Sequence, residues 1–283
     1  MPDLIVIGAG LSGLALARAM AGRGADVVVL EARARIGGRV LSHRTASGAY
    51  DLGPAWVWPA IQPRIARAVR AAGLALTEQA EAGGFVFQDQ AGRTQRLPHG
   101  FAQEPPSMRI TGGIAALVEA VAAGLAPGVV RLEHAVRRIA LTGSGVAVTA
   151  ETRSGPVTLH AARAALALPP RLIGGIEILP ALPPSVQAAL AAVPGWMAGQ
   201  AKALTLYDRR SGATPACRAA RSARRDRSGN SMTRASPAPP RLRCSASSPG
   251  HPPSVRREAR PCRSWSPANS GCCSAPRPHG RAR

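Results

Sequence analysis

The first forty residues carry two short apolar runs, residues 4–7 (Leu-Ile-Val-Ile) and residues 27–30 (Val-Val-Val-Leu), with no polar break in either. Runs of this kind read as strands buried on both faces, as in a parallel sheet. Between them an apolar stretch at helical spacing opens directly after Gly8-Ala9-Gly10. The order strand, glycine turn, helix, strand predicts a βαβ unit.

Further along, the pattern is less dense but readable. Residues 63–73 have apolar positions at helical spacing and end on a glycine, which predicts a helix and its stop. Residues 74–105 alternate short apolar runs with Gly, Gln and Pro and read as strands and loops of a second layer. Residues 114–124 predict another helix and 129–132 a strand. Alternation over 146–150 and 156–159 predicts a hairpin. Residues 164–168 predict a buried strand stopped by Pro169-Pro170, and 201–206 alternate like a strand.

The glycine turn carries chemistry. Gly8, Gly10 and Gly13 form the dinucleotide-binding fingerprint Gly-Ala-Gly-Leu-Ser-Gly, in its required place between strand and helix. Gly8 makes the tight turn, Gly10 lets the backbone approach a pyrophosphate, and Gly13 lets the helix pack close to the strand. The N–H groups at Leu11, Ser12 and Gly13 open a helix whose N-terminus attracts phosphate. The second strand ends on Glu31, twenty-three positions after Gly8, where an acid accepts ribose hydroxyls. A carboxylate there repels a 2′-phosphate and argues against NADP. The fingerprint does not separate FAD from NAD.

Composition changes the picture at one place. The formal charge is +21, but residues 209–283 hold 17 Arg, no Lys and two acids, and so contribute +15. The first 208 residues carry only +6, and this distribution argues against a nucleic-acid binder. All five cysteines (Cys217, Cys244, Cys262, Cys272 and Cys273) lie in the same final segment, unevenly spaced and with no CxxC pair, so no metal site is expected. A cysteine-free body gives no sign of an oxidising compartment. Asp3 stands where a signal peptide carries positive charge, and no run of about 20 apolar residues exists to span a membrane. The expectation is a cytoplasmic protein without membrane contact. The four histidines before residue 209 (His43, His99, His134, His160) form no recognisable pair with a Ser or Cys nucleophile and read as structural.

Directly after Glu31 comes Arg33-Ala34-Arg35-Ile36-Gly37-Gly38-Arg39, and soon after it Asp51-Leu52-Gly53-Pro54-Ala55-Trp56. Two glycines allow close backbone approach and arginine suits phosphate. With these segments the chain resembles the flavin-containing amine oxidases. The resemblance implies FAD, with the fingerprint on its ADP half and Arg33, Gly37, Gly38 and Arg39 continuing along the pyrophosphate toward the flavin. It also implies cofactor contacts at Gly53, Pro54, Ala55 and Trp56, and an adenine contact from backbone near Val136 in His-Ala-Val-Arg-Arg-Ile. The reaction it implies is oxidation of an amine C–N bond, with electrons passed to dioxygen. Lys202 is the only lysine in a chain of 35 arginines, and in Ala-Gly-Gln-Ala-Lys it matches the family lysine that faces the flavin through a water and assists reoxidation. A small amine substrate and dioxygen are the expected partners. Two other readings share the early motifs: a desaturase or protoporphyrinogen-oxidase-like FAD enzyme, and a non-catalytic nucleotide-binding fragment whose basic tail binds nucleic acid.

The expected fold is α/β: a Rossmann-like FAD-binding domain from residues 1–60 and 125–172, and an incomplete α+β substrate domain from 74–124 and 173–208. Residues 209–283 have 11 Pro, one aromatic (Trp265) and no apolar periodicity, and are expected to be disordered. Read one frame over, their degenerate codons permit PFWRDAGLSG, EFHDAS, ALFGFV and QFGLLFGPEA in order, strings that resemble the family's continuation. The segment therefore reads as out of frame and the enzyme as truncated, weak or inactive as written.

Overall fold

The computed structural model of the chain describes residues 1–46, 48–79, 85–88, 93–98, 103–195, 200–207, 221–223, 232–234 and 242–249. These residues fall into two compact units, 1–78 with 104–197, and 79–103 with 198–283.

The first unit is organised by the apolar runs. Strand Leu4–Ile7 lies at the middle of a parallel sheet, flanked by Val27–Leu30 and by Arg163–Leu166, with Val130–Arg131 at the far edge. Both faces of the sheet are covered, which is why neither run contains a polar residue. Leu4, Val6, Val27 and Val29 face the two helices Leu11–Ala21 and Ala115–Ala123, meeting Leu14, Ala17, Leu117, Val118 and Val121. Ile5, Ile7, Val28 and Leu30 face the other way, onto Val136, Ile139, Val146, Val148 and Ala150. Those last residues line a second sheet, Gly155–Ala161, Gly145–Thr152, Ala135–Thr142 and Glu177–Leu179 in spatial order. The unit is thus three-layered: helices, parallel sheet, second sheet.

The expected helices appear as Pro63–Ala71 and Ala115–Ala123, and the expected hairpin as Gly145–Thr152 with Gly155–Ala161. Residues 104–124 belong with the nucleotide-type sheet, because Ile110, Ile114, Leu117, Val118 and Val121 complete its helical face. Residues 173–195, including helix Pro184–Ala192, lie with the same unit.

In the second unit, Phe85–Gln88 pairs antiparallel with Thr94–Leu97 and parallel with Arg221–Ala223. Strand Gln200–Tyr207 pairs along its length with Leu242–Pro249, which also takes Met232–Arg234. The expectation of a segment 209–283 without regular structure is therefore modified at three short strands. The physical reason lies in the backbone. A strand edge offers unpaired N–H and C=O groups that any extended segment can satisfy, whatever its side chains. The remaining residues of 209–283 lie outside the described residues.

Candidate dinucleotide site

The glycines of the fingerprint have different structural reasons. Gly8 has φ +104, and a Cβ there would meet the Ala167 carbonyl oxygen at 2.8 Å. A Cβ on Gly13 would stand 2.0 Å from the Gly8 carbonyl oxygen, so only glycine lets the helix pass this close to the turn. Gly10 has neither reason. Its φ of −71° suits any residue, and nothing lies within 4 Å of where its Cβ would be. The protein itself leaves room for a side chain at Gly10, and the open space is in front of the start of the helix.

That helix, Leu11–Ala21, has no side-chain cap and no acid in its first turn. Its first N–H groups are oriented donors with no side-chain acceptor, at the positive end of the helix dipole. Leu11 is half-buried and Ser12 exposed at this end. Glu31 is buried at the end of strand Val27–Leu30, and its carboxylate accepts the N–H groups of Ala9 (2.9 Å) and Arg33 (3.1 Å). The acid thereby ties the glycine turn to the neighbouring strand. A carboxylate has about four acceptor positions, so capacity for hydroxyl donors remains on both oxygens. Arg33 extends over it, 59% exposed and 3.8 Å from the nearer oxygen.

A second glycine turn lies on the first. The Gly37 N–H donates to the Ala9 carbonyl at 2.8 Å, and Gly10 and Gly37 form a parallel bridge. Gly37 and Gly38 have φ of +101° and +57°, a region that side chains disfavour. A Cβ on Gly38 would stand 3.3 Å from the Gly10 Cα. Arg39 is exposed, and neither its amide nor its guanidinium has a partner among the described residues.

The remaining expected residues lie at greater distance in the sequence. Residues 131–134 run beside the acid: the Glu31 N–H donates to the Arg131 carbonyl, the His134 N–H to the Glu31 carbonyl, and the Glu133 N–H to the Arg33 carbonyl. Val136 follows, its side chain buried between the two sheets and its ladder partner Ala150. Strand Glu177–Leu179 reaches only Arg138–Ala140 on the other edge, so among the described residues no strand pairs there with Ala135 or Val136. Gly53 has a packing reason for being glycine, since a Cβ would meet the Arg39 carbonyl oxygen at 2.3 Å. Pro54 is exposed and Ala55 buried. Trp56 packs edge-on against Trp58 (ring centroids 6.1 Å apart), with the buried Arg109 guanidinium 5.7 Å over its ring. The Trp56 indole N–H is buried and has no hydrogen-bond partner among the described residues. Backbone pairing between Val57 and Met108 holds these side chains together.

Lys202 sits within strand Gln200–Tyr207 of the second unit, half-buried, opposite Ser247 in the ladder. Among the described residues, no group of three or more His, Cys, Asp or Glu side chains could hold a metal ion. None of their helices is long and apolar enough to cross a membrane.

Two features escaped the sequence. Arg35 does not face outward with its neighbours but turns back on its own loop, donating to three carbonyls. Asp51 is a remote cap: its Oδ1 accepts the Ile114 N–H (2.9 Å) and the Ser42 hydroxyl (2.5 Å) at the start of helix Ala115–Ala123. The only signal for the second was Gly113, where a Cβ would stand 2.9 Å from the Asp51 Oδ1.

Comparison with known proteins agrees with this geometry. The family model for an NAD(P)-binding Rossmann-like domain matches residues 6–72, and that for flavin containing amine oxidoreductases matches residues 85–254. Human amine oxidase [flavin-containing] B is 45% identical over 73 residues, 25% of this chain and 14% of the human protein. Polyamine oxidase 1 of Oryza sativa subsp. japonica is 36% identical over 99 residues, 34% of this chain and 19% of the rice protein. The matched stretches thus span under a fifth of these relatives' length. Among solved structures, cyclohexylamine oxidase from Brevibacterium oxydans IH-35A superposes with a TM-score of 0.74 at 19% identity, covering 88% of this chain and 75% of that one. Putrescine oxidase bound to putrescine gives 0.71 at 19% identity, covering 88% and 76%. At that identity the superpositions establish the fold alone. The second family match takes in more than half of the chain and carries the assignment: this chain belongs to the flavin containing amine oxidoreductases.

Proposed function

We propose that the chain binds FAD through the double glycine turn and belongs to an enzyme that oxidises a small amine. The observation that carries the reading is Gly10. Its glycine is explained neither by backbone conformation nor by packing, and the open space before it faces an uncapped helix start. A pyrophosphate fits both facts. In this reading Gly8 and Gly13 shape the turn, while the N–H groups of Leu11 and Ser12 and the Arg39 guanidinium hold phosphate. Glu31 accepts the ribose hydroxyls, with Arg33 beside it. The backbone near Val136 borders the adenine. Gly37, Gly38 and the Gly53–Trp56 segment line the path toward the isoalloxazine, where the Trp56 N–H is a donor in want of an acceptor.

A flavin held by these residues would supply the redox chemistry, accepting the electrons of an amine C–N bond for transfer to dioxygen. The chain's own residues supply position and charge. Lys202 is the residue proposed to hold the water that assists reoxidation, because an ammonium is a compact donor with an adjustable pKa. Putrescine and cyclohexylamine are the amines of the structural neighbours, and a small primary amine is the substrate class to test first. A cysteine-free body supports a cytoplasmic setting. The break in composition at residue 209 supports the out-of-frame reading of 209–283, and sequencing the gene across the codons of residues 208–211 decides it.

The cofactor assignment is tested by titrating the purified chain with FAD and following flavin fluorescence. Saturable quenching, lost in Glu31→Ala, is expected. Equal retention of FAD with Ala at position 31 removes Glu31 from the site, and no saturable binding by the parent chain removes the reading itself.

A further inference from the structure

We propose that Arg35 is a positioning residue. Its guanidinium gathers the carbonyls of the Gly37-Gly38 turn and so fixes the turn's N–H groups, that of Gly37 on the first glycine turn and that of Arg39 outward, toward the phosphates of a bound dinucleotide. The inference rests on the FAD reading for its ligand, and on the loop's own geometry for the rest.

Arg35 is half-buried, and donates from Nη1 to the carbonyls of Ile36 (3.1 Å) and Val40 (3.3 Å) and from Nη2 to that of Gly38 (2.9 Å). Three carbonyl oxygens of one short loop therefore converge on one cation. Without it their dipoles would oppose one another, and an oxygen turned outward would repel phosphate. A planar guanidinium with a fixed fork of donors can satisfy all three, whereas an ammonium presents a single point charge. In a trans peptide, each N–H points opposite to the preceding C=O. Turning the Ile36 carbonyl inward turns the Gly37 N–H outward, and that N–H is found on the Ala9 carbonyl of the first glycine turn. Turning the Gly38 carbonyl inward does the same for the Arg39 N–H, which has no partner among the described residues. The two glycines have positive φ and would otherwise be the loosest part of this loop. The arginines thus divide the work: Arg35 neutralises carbonyls inside the loop, and Arg39 keeps its charge for what comes to the loop.

The experiment compares Arg35→Gln, Arg35→Lys and Arg39→Gln in the full chain. FAD affinity is read by fluorescence quenching at several salt concentrations, and backbone hydrogen exchange of residues 36–41 without ligand. Arg35→Gln and Arg35→Lys are both expected to weaken FAD by about tenfold or more, with the salt dependence of the parent, because an oriented loop rather than a charge has been lost. Both should speed exchange in 36–41. Arg39→Gln should weaken FAD with a shallower salt dependence and leave exchange in that segment unchanged. Parent-like FAD affinity in Arg35→Lys overturns the proposal, since charge alone would then suffice; so does unchanged exchange in both Arg35 variants. If Arg35→Gln does not fold, Arg35→Lys decides by the same two readings. A parent chain that does not bind FAD defeats the cofactor reading, and the exchange measurement then decides the clamp by itself.

Discussion

Two glycines three positions apart have opposite reasons for being glycine. Alanine at Gly10 places its methyl in open space with an acceptable backbone, so Gly10→Ala should leave stability within about 1 kcal/mol of the parent while removing FAD binding. Alanine at Gly13 drives a methyl against the Gly8 carbonyl, so Gly13→Ala should cost about 3 kcal/mol or more of stability. Urea unfolding and FAD titration of both variants check the pair; strong destabilisation by Gly10→Ala or tolerance of Gly13→Ala would reverse their roles. Gly8 and Gly13 were readable in advance because backbone geometry leaves few residues able to do what they do. The motif proposes Glu31 for ligand binding, but it does not announce the bond to the Ala9 N–H, which depends on how two strands end in register. Arg35 was not readable at all. A guanidinium in a sequence says that an anion or a carbonyl will be met, not which one.

At the level of elements, helix Ala115–Ala123 shows where periodicity stops informing. Its apolar positions predict a buried face, and the face is there. They do not say which sheet receives it; Leu117, Val118 and Val121 meet the parallel sheet that contains Leu4–Ile7. The hairpin Gly145–Thr152 with Gly155–Ala161 was legible because Val146, Val148 and Ala150 alternate strictly inward. The helix start is held by a strand far away in sequence. Asp51→Ala removes the acceptor of the Ile114 N–H and the partner of the Ser42 hydroxyl, leaving both to the protein interior. A loss of about 1–3 kcal/mol is expected in urea unfolding. Ser42→Ala, which keeps the carboxylate on the helix, should cost less. Equal stability of Asp51→Ala and the parent would show that the helix start is satisfied some other way.

For the molecule as a whole, the two units divide the proposed labour. The residues of the dinucleotide site lie in 1–78 and 104–197, and Lys202 lies in the other unit. Lys202→Met, in a chain whose frame is restored after residue 208, should slow flavin reoxidation by dioxygen by about tenfold or more while sparing reduction by amine. Stopped-flow traces with unchanged reoxidation would take the residue out of the mechanism. The three-layer architecture was only partly foreseeable. Four-residue apolar runs announce a sheet covered on both sides, but not that one cover is helical and the other a second sheet.

The central strand also sets a clock. Leu4–Ile7 is made about 160 residues ahead of one of its two neighbours, Arg163–Leu166, with Leu4 opposite Arg163. At typical synthesis rates of about 5–20 residues per second, the first strand waits roughly 10–30 s for that partner to be made. Until then one edge of the sheet is open, and for most of that interval, before residues 136–150 are made, Ile5 and Ile7 also lack the cover those residues supply. A nascent chain halted in this interval exposes a hydrophobic sheet edge; one that has passed residue 166 has every strand of the nucleotide layer in hand, well before the composition changes at 209. Errors in the gene are therefore unequal in consequence: before that point they forfeit the fold, and after it they fall on a layer that already exists.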